Sequence, residues 1–274
     1  MPGSRRALLV GINAYPGQPL AGCVADTAAL AERLVARYAF RRADVRVVTD
    51  ARATAAAIRA RLAWLVAGAK PGDELVYAFS GHGVQVAART AAGEVDGLDE
   101  AQVPVDFDWT DGTLIRDDDL ATVFVAIPAG AHLTVISDSC HSGTLAREWS
   151  PIRRLLGRTR RARTMTVHGD LVWRNAAAQG HKRNGRVPVL AAGAWLEACR
   201  ATQTAADAWF GRKPRGAFSY CFGQALDRDP NVTLADLRVL VGRGLTRAGF
   251  GQDPVFEGAE LHRPFLGGVR EATS

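Results

Sequence analysis

Two short sequences carry side chains that could perform nucleophilic catalysis. Cys140 and His141 lie in "ISDSCHSG" (136–143), and His82 lies in "FSGHG" (79–83). A thiolate activated by an imidazole can attack a carbonyl carbon, and the imidazolium can then protonate the leaving group. Because adjacent side chains normally project apart, His141 is poorly placed to serve Cys140. We predict a dyad in which Cys140 is the nucleophile and His82 is the general acid and base.

The peptide groups around these motifs could stabilise the charge on an attacked carbonyl oxygen. Glycines at 81, 83 and 143 allow tight turns and close approach of the backbone to a ligand. We predict that the backbone N–H groups of Gly83 and Cys140 form an oxyanion hole. The alternative is a buried thiol and a hydrogen-bonded turn histidine. Spacing excludes a cysteine phosphatase, because six residues separate Cys140 from Arg147, one more than its phosphate loop has.

The elements that must position these residues follow from the apolar pattern. Continuous aliphatic runs that alternate with helical patterns are typical of a mostly parallel sheet covered by helices. We therefore predict an α/β fold, in which ligands gather at the carboxyl ends of the strands. The predicted strands are 5–12, 44–50, 74–83, 132–140 and one within 187–200, the predicted helices include 25–38, one capped by Thr54, 219–226 and 233–245, and 253–258 is extended.

The positive charge of the chain is concentrated in one stretch. The 274 residues carry a formal net charge of +6, and residues 151–187 contain ten Arg and Lys residues against Asp170 as the one acidic residue. This stretch has neither helical nor strand periodicity, so we predict an exposed basic loop inserted in a single domain. A nucleic-acid-binding role is disfavoured, because Trp173 alone is available there for base stacking.

The sequence has features of a cytoplasmic protein. No apolar segment reaches the length of a membrane span, and the N-terminus lacks the pattern of a signal peptide. The cysteines at 23, 140, 199 and 221 have no C-x-x-C spacing, so we predict free thiols in a reducing compartment. The high alanine and arginine content is typical of a GC-rich bacterial source.

Several motifs together resemble the metacaspases, the arginine- and lysine-directed branch of the caspase-like cysteine peptidases. The motifs are "SGHG", "DSCHSG", "DGLDE", "RDDDL", "GCVADT", "EACRATQTAADAWF", "GAFSY" and "GQDPVFEG". The resemblance covers nearly the whole chain outside the basic loop. It implies one caspase-like domain over 1–274, a sandwich with a mostly parallel central sheet. Its parts are a large-subunit-like part (1–150), the basic loop (151–187) and a small-subunit-like part (188–274).

The resemblance also implies a pocket for P1, the substrate residue that contributes the cleaved carbonyl group. The positions that match the family pocket are Cys23, Asp26, Ser80 and Asp138. Carboxylates beside the nucleophile would pair with a guanidinium or ammonium group and repel a P1 aspartate. From the residues alone, a helix cap is the favoured role of Asp26, and the resemblance favours the pocket instead.

Calcium activation is a second implication of the resemblance. The chain between the two motifs is acidic, and Asp99, Asp117 and Asp118 match the family's ligand positions. Ca²⁺ binds six to eight oxygen ligands, which such carboxylates could supply. Arg147 stands where these enzymes carry a further aspartate. The alternative is a solvated acidic loop, and the peptidase chemistry itself requires no cofactor.

The function that follows is a cysteine endopeptidase that cleaves proteins after Arg or Lys through a thioester acyl-enzyme. The basic loop, rich in both residues, is a predicted site of self-cleavage, with a solvated linker or docking patch as the alternative. The resemblance implies a monomer. The alternative from another class is a catalytically silent scaffold or regulatory module.

Overall fold

A computed structural model of the chain describes residues 3–87, 98–139, 161–163, 193–200, 203 and 205–269. Cys140, Arg147 and most of the basic loop lie outside the described residues. The strands are β1 (Arg5–Gly11), β2 (Val45–Thr49), β3 (Glu74–Ser80), β4 (Gly83–Ala87), β5 (Leu98–Gln102), β6 (Ile115–Arg116), β7 (His132–Asp138), β8 (Arg161–Ala162), β9 (Gly193–Glu197), β10 (Ala206–Phe210), β11 (Lys213–Gly216) and β12 (Val255–Gly258). The helices are α1 (Cys23–Arg37), α2 (Ala55–Val66), α3 (Asp117–Phe124), α4 (Ala217–Arg228) and α5 (Leu234–Arg247).

Six strands form the central sheet, in the order β12-β9-β7-β3-β1-β2. The pairs between β2 and β9 are all parallel, and β12 joins the edge in the antiparallel direction. Two three-stranded sheets flank it, β4-β5-β6 and β11-β10-β8. The predicted α/β fold with a mostly parallel sheet is confirmed.

The aliphatic runs form central strands because both faces of the sheet are covered. All seven residues of β3 are buried, as expected for a parallel strand between two layers of helices. Along β1, Leu8 and Val10 pack with α2 and α3, whereas Ala7 and Leu9 pack with α1, α4 and α5. Among the described residues, no helix is both long and apolar enough to cross a membrane.

The capping residues expected from the sequence are found at the start of α2 but not at the start of α1. Thr54 caps α2 as predicted, because its side chain accepts a hydrogen bond from the Ala57 N–H. The alternative role of Asp26 as a helix cap does not hold. Helix α1 begins at Cys23 after Gly22, so Asp26 lies inside the first turn and its carboxylate is directed to other partners.

The structure corrects two further predictions, the end of one strand and the exposure of the basic stretch. The strand predicted at 74–83 ends at Ser80, because the chain turns through His82 and begins β4 of a separate sheet at Gly83. The basic stretch was predicted as an exposed loop, but Arg161–Ala162 forms β8 and Arg163 is fully buried. As predicted, Cys23, Cys199 and Cys221 form no disulfide bond among the described residues, and all three are buried.

Candidate active site

The parallel pairing of β3 with β7 brings two of the predicted pocket residues together. Ser80 is opposite Asp138 in the register of the two strands, so both lie at the carboxyl edge of the central sheet. His82 follows β3 by two residues. Cys140, the predicted nucleophile, follows β7 by two residues and lies outside the described residues.

His82 is buried and held in one orientation. Its Nε2 lies 2.7 Å from the carbonyl oxygen of Gln18, which can only accept, so Nε2 carries the proton in the neutral ring. Its backbone N–H donates to the Tyr15 hydroxyl, and the two rings are 4.5 Å apart. Nδ1 is buried without a hydrogen-bond partner among the described residues. Nδ1 is therefore the nitrogen that can exchange a proton with a nucleophile.

Burial sets the protonation state of this imidazole. Desolvation of the ring lowers the pKa of His82 to about 4, because a buried charge loses its hydration. His82 is consequently neutral at pH 7 with a free lone pair on Nδ1. A neutral imidazole can accept the proton of a thiol, as the predicted dyad requires.

The side chain of Arg163 lies in the predicted P1 pocket. Its Nη1 donates to the Ser80 hydroxyl at 2.6 Å and lies 3.0 Å from Asp138 Oδ2. Its Nη2 lies 2.7 Å from Asp26 Oδ2 and 3.1 Å from Asp207 Oδ1. The guanidinium is 0 % exposed. Four side chains thus surround it, and we call Asp26, Ser80, Asp138 and Asp207 the acidic pocket.

Asp207 is the member of the acidic pocket that sequence reasoning missed. It lies in β10, and its two carboxylate oxygens also accept the N–H groups of Ala21 and Gly22 just before α1. It thereby fastens the start of α1, which carries Asp26, to the second half of the chain. The only signal for it was its place in "EACRATQTAADAWF", one of the family motifs.

A glycine completes the wall of the acidic pocket. The N–H of Gly216 donates to Asp26 Oδ2 at 2.8 Å. A Cβ atom at this position would lie 2.3 Å from Asp138 Oδ2 and 2.7 Å from the Arg163 guanidinium carbon. Such contacts are far inside van der Waals distance, so only glycine lets β11 approach both groups.

Cys23 has a different role from its carboxylate neighbours. It begins α1 and is fully buried. Burial raises the pKa of the Cys23 thiol well above its usual range. Cys23 is therefore a neutral thiol that packs at the start of α1 and does not offer a second nucleophile.

The carboxylates of the acidic pocket outnumber the cation that they surround. Burial raises the pKa of Asp26 to about 7, although the Arg163 guanidinium opposes this shift. Three buried carboxylates surround Arg163, and the second guanidinium nearby, with Arg215 Nη1 3.7 Å from Asp26 Oδ1, is partly exposed. The carboxylates repel each other, so a proton on Asp26 relieves the excess negative charge near neutral pH. The electrostatics of the acidic pocket thus favour a cation over an anionic side chain.

The backbone of Arg163 is held as an extended peptide. Ala162 pairs with Ala206 and Arg161 with Asp207 in antiparallel register, and the Arg163 N–H donates to Ala205 O at 3.0 Å. Addition of a strand to a sheet edge is a common way for a protein to bind an extended peptide. Residues 161–163 thus have the main-chain pairing of a bound peptide.

The carbonyl group of Arg163 meets one of the predicted oxyanion donors. The N–H of Gly83 donates to Arg163 O at 3.1 Å. His82, one residue earlier, is fixed by a second backbone bond in which Val103 N–H donates to His82 O. The side chain that fills the acidic pocket and the carbonyl at Gly83 therefore belong to the same residue.

The residues predicted to bind calcium do not fit an ion as they stand. Asp99 is buried and pairs with the guanidinium of Arg116. Asp117 and Asp118 lie in the first turn of α3, where the helix dipole favours carboxylates, and Asp117 Oδ1 accepts the Asp118 N–H. Among the described residues, no three His, Cys, Asp or Glu side chains form a group that could hold a metal ion.

Comparisons with known proteins identify the family of the chain. A family model described as metacaspase, peptidase C14 domain, matches residues 5–147. Metacaspase-1 of Mycosarcoma maydis is 32 % identical over 291 residues, which cover 93 % of this chain and 70 % of that protein. Metacaspase-1 of Cryptococcus neoformans is 32 % identical over 271 residues, covering 86 % of this chain and 58 % of that protein. Metacaspase-4 of Arabidopsis thaliana is 41 % identical over 152 residues.

The chain spans between 35 % and 70 % of the length of these three relatives. The chain spans only 35 % of the Arabidopsis protein, which is longer. Among solved structures, protein GSU0716 from Geobacter sulfurreducens superposes with a TM-score of 0.67 at 23 % identity, over 93 % of this chain and 92 % of that chain. This likeness shows the fold alone. On the family match and the similarity to the fungal proteins, the chain belongs to the metacaspase family of C14 peptidases.

Proposed function

We propose that the protein is a cysteine endopeptidase that cleaves after arginine, and after lysine in second place. The observation that carries this proposal is the position of Arg163, whose guanidinium fills the acidic pocket while its carbonyl oxygen accepts the Gly83 N–H. A planar guanidinium can engage Asp26 and Asp138 at once, whereas an ammonium group acts as a point charge. Arginine is therefore the preferred P1 residue.

The mechanism assigns a role to each group. Nδ1 of His82 takes the proton of the Cys140 thiol, and the thiolate attacks the P1 carbonyl carbon, with the oxyanion held by Gly83 N–H. The C–N bond breaks as the imidazolium protonates the leaving amine, which leaves a thioester. Water, deprotonated by His82, then attacks the thioester, releases the new carboxylate and restores the thiol.

The same geometry supports self-cleavage between Arg163 and Thr164. The peptide carbonyl at Gly83 is that of Arg163, and the P1 side chain in the acidic pocket is its own. Until this segment leaves, an external P1 residue has no access to the carboxylates. The intact chain is accordingly a self-blocked form, and substrates are protein segments with an accessible arginine. Monomeric state and cytoplasmic location stay predictions.

The test is hydrolysis of fluorogenic peptides that are identical except for Arg, Lys or Asp at P1. We expect cleavage in the order Arg, Lys, Asp, no cleavage by Cys140→Ala, and a shortened lag with Arg163→Gln, which empties the pocket. Arg158→Gln, a basic-stretch arginine outside the described residues, is the matched control and should keep the wild-type lag. Failure of both wild type and Arg163→Gln to cut any peptide would favour the silent scaffold.

A further inference from the structure

Arg116 is a second fully buried arginine with carboxylate partners. It ends β6, and its side chain is 1 % exposed. Nη1 donates to Asp99, which is 2 % exposed. Nε and Nη2 lie 2.7 and 2.5 Å from Asp111 Oδ1. One guanidinium thus bridges a carboxylate of β5 and a carboxylate of the turn that precedes β6.

The sheet that Arg116 ties together is the one that positions the active site. In β4-β5-β6, Asp99 is opposite Val86 and Arg116 is opposite Ala101. Strand β4 begins with Gly83, whose N–H holds the Arg163 carbonyl oxygen. A change in the β5 to β6 connection would therefore reach Gly83 through the hydrogen bonds of the sheet.

A buried carboxylate at Asp99 needs a positive charge beside it. Without a partner its desolvation would be very costly, and either a guanidinium or a hard divalent cation could compensate it. The resemblance assigns Asp99 and the two residues after Arg116 to a calcium site. In the structure, the guanidinium of Arg116 is paired with Asp99 Oδ2.

We propose that Arg116 supplies from within the chain the positive charge that the resemblance assigns to calcium, so that the β4-β5-β6 sheet is held without the metal. Arg116 is a positioning residue, since it acts on Gly83 through this sheet and contacts no substrate. The proposal does not depend on the peptidase function, because its primary consequences are for stability and metal binding.

The experiment compares thermal unfolding of full-length protein in EGTA, CaCl₂ and MgCl₂, in a Cys140→Ala background that prevents self-cleavage. We expect the parent protein to unfold at the same temperature in all three. Arg116→Met should lower the Tm by roughly 5–10 °C in EGTA, because a buried carboxylate loses its partner. CaCl₂ should restore part of this loss and MgCl₂ less. Arg41→Gln, which breaks the exposed pair with Asp44, is the matched control. It should change neither the Tm in EGTA nor the response of the Tm to the two cations.

Three results would overturn the proposal. One is a rise in the Tm of the parent protein with CaCl₂ that Asp99→Asn abolishes. Another is an Arg116→Met protein that is destabilised but indifferent to calcium, since Arg116 would then be an ordinary structural contact. If Arg116→Met does not fold in any buffer, calorimetric titration of the parent protein with CaCl₂ decides. Heat of binding that is lost in Asp99→Asn contradicts the proposal, and absence of binding supports it.

Discussion

Arg163 and Arg116 are both fully buried and both bound by more than one carboxylate, yet they lie in different secondary-structure settings. Arg116 ends a strand and is followed directly by α3, so regular structure fixes it on both sides. Arg163 follows the two-residue strand β8 within the basic stretch. On the proposed function, Arg116 serves structure because the sheet around it fixes it, whereas Arg163, which follows a short edge strand, can be exchanged for a substrate side chain.

The largest expected effect is on P1 recognition. Asp138→Asn and Asp207→Asn should each lower kcat/KM for P1-arginine peptides by about two orders of magnitude, because each removes one carboxylate from a desolvated guanidinium. Asp227→Asn, which breaks the partly exposed pair with Arg33, is the matched control and should have little effect. Equal loss with P1-leucine peptides, measured in the same assay, would show a general defect and contradict the pocket assignment.

The next effect is a difference in how much each arginine contributes to the free energy of unfolding. Arg116→Met should lower the free energy of unfolding by about 3 kcal/mol, since it leaves Asp99 buried without its cation. Arg163→Met should cost less, because the segment 161–163 can leave the acidic pocket and let water enter. Urea unfolding of the two variants in the Cys140→Ala background measures the difference. A larger loss for Arg163→Met would reverse the distinction between the two sites.

A smaller effect is expected at Gly216, which forms part of the wall of the acidic pocket. Gly216→Ala places a methyl group against Asp138 and the guanidinium, which should cost about 1–3 kcal/mol of stability. It should also raise KM for P1-arginine peptides more than it lowers kcat. Gly251→Ala, where a Cβ atom meets no neighbour within 4 Å, is the control. An unchanged KM would mean that a P1 side chain does not reach Gly216.

The smallest effect is the pH dependence of cation binding. The pKa of Asp26 is about 7 with Arg163 bound. Since the guanidinium lowers this pKa, the pKa of Asp26 without a bound cation is higher at the same degree of burial. Between these two values binding releases a proton, so affinity for a P1 cation should be level below about pH 7 and rise several-fold above it. Inhibition by benzamidine across this range measures the effect. Asp26→Asn should make the affinity for benzamidine independent of pH in this range. An affinity of the unsubstituted protein that rises toward acid pH would contradict the prediction.

The sequence predicted the parts of the molecule whose signals are local. Continuous aliphatic runs predicted β1, β3 and β7, because parallel central strands are buried on both faces. The family motifs led to Asp138 and Ser80, which the register of β3 and β7 places side by side.

The remainder of the site depends on contacts between distant segments. Asp207 and Asp26 are 181 positions apart in the sequence and meet through the Arg163 guanidinium, so no local spacing could reveal the pair. Arg163 lies in a stretch without periodicity, and its burial follows from the carboxylates that it meets rather than from its neighbours in the chain. Asp26 was also open to interpretation as a cap, since carboxylates near a helix start serve several roles.

The central claim is that Arg163 is bound as the P1 residue of the protein's own substrate segment. The most direct measurement is the intact mass of purified wild type, Cys140→Ala and Arg163→Gln during incubation. We predict that wild type separates into fragments that end at Arg163 and begin at Thr164, while the two variants keep that bond intact. Wild-type protein that turns over P1-arginine peptides with the bond uncut, or Arg163→Gln protein cut there at the same rate, would contradict the account.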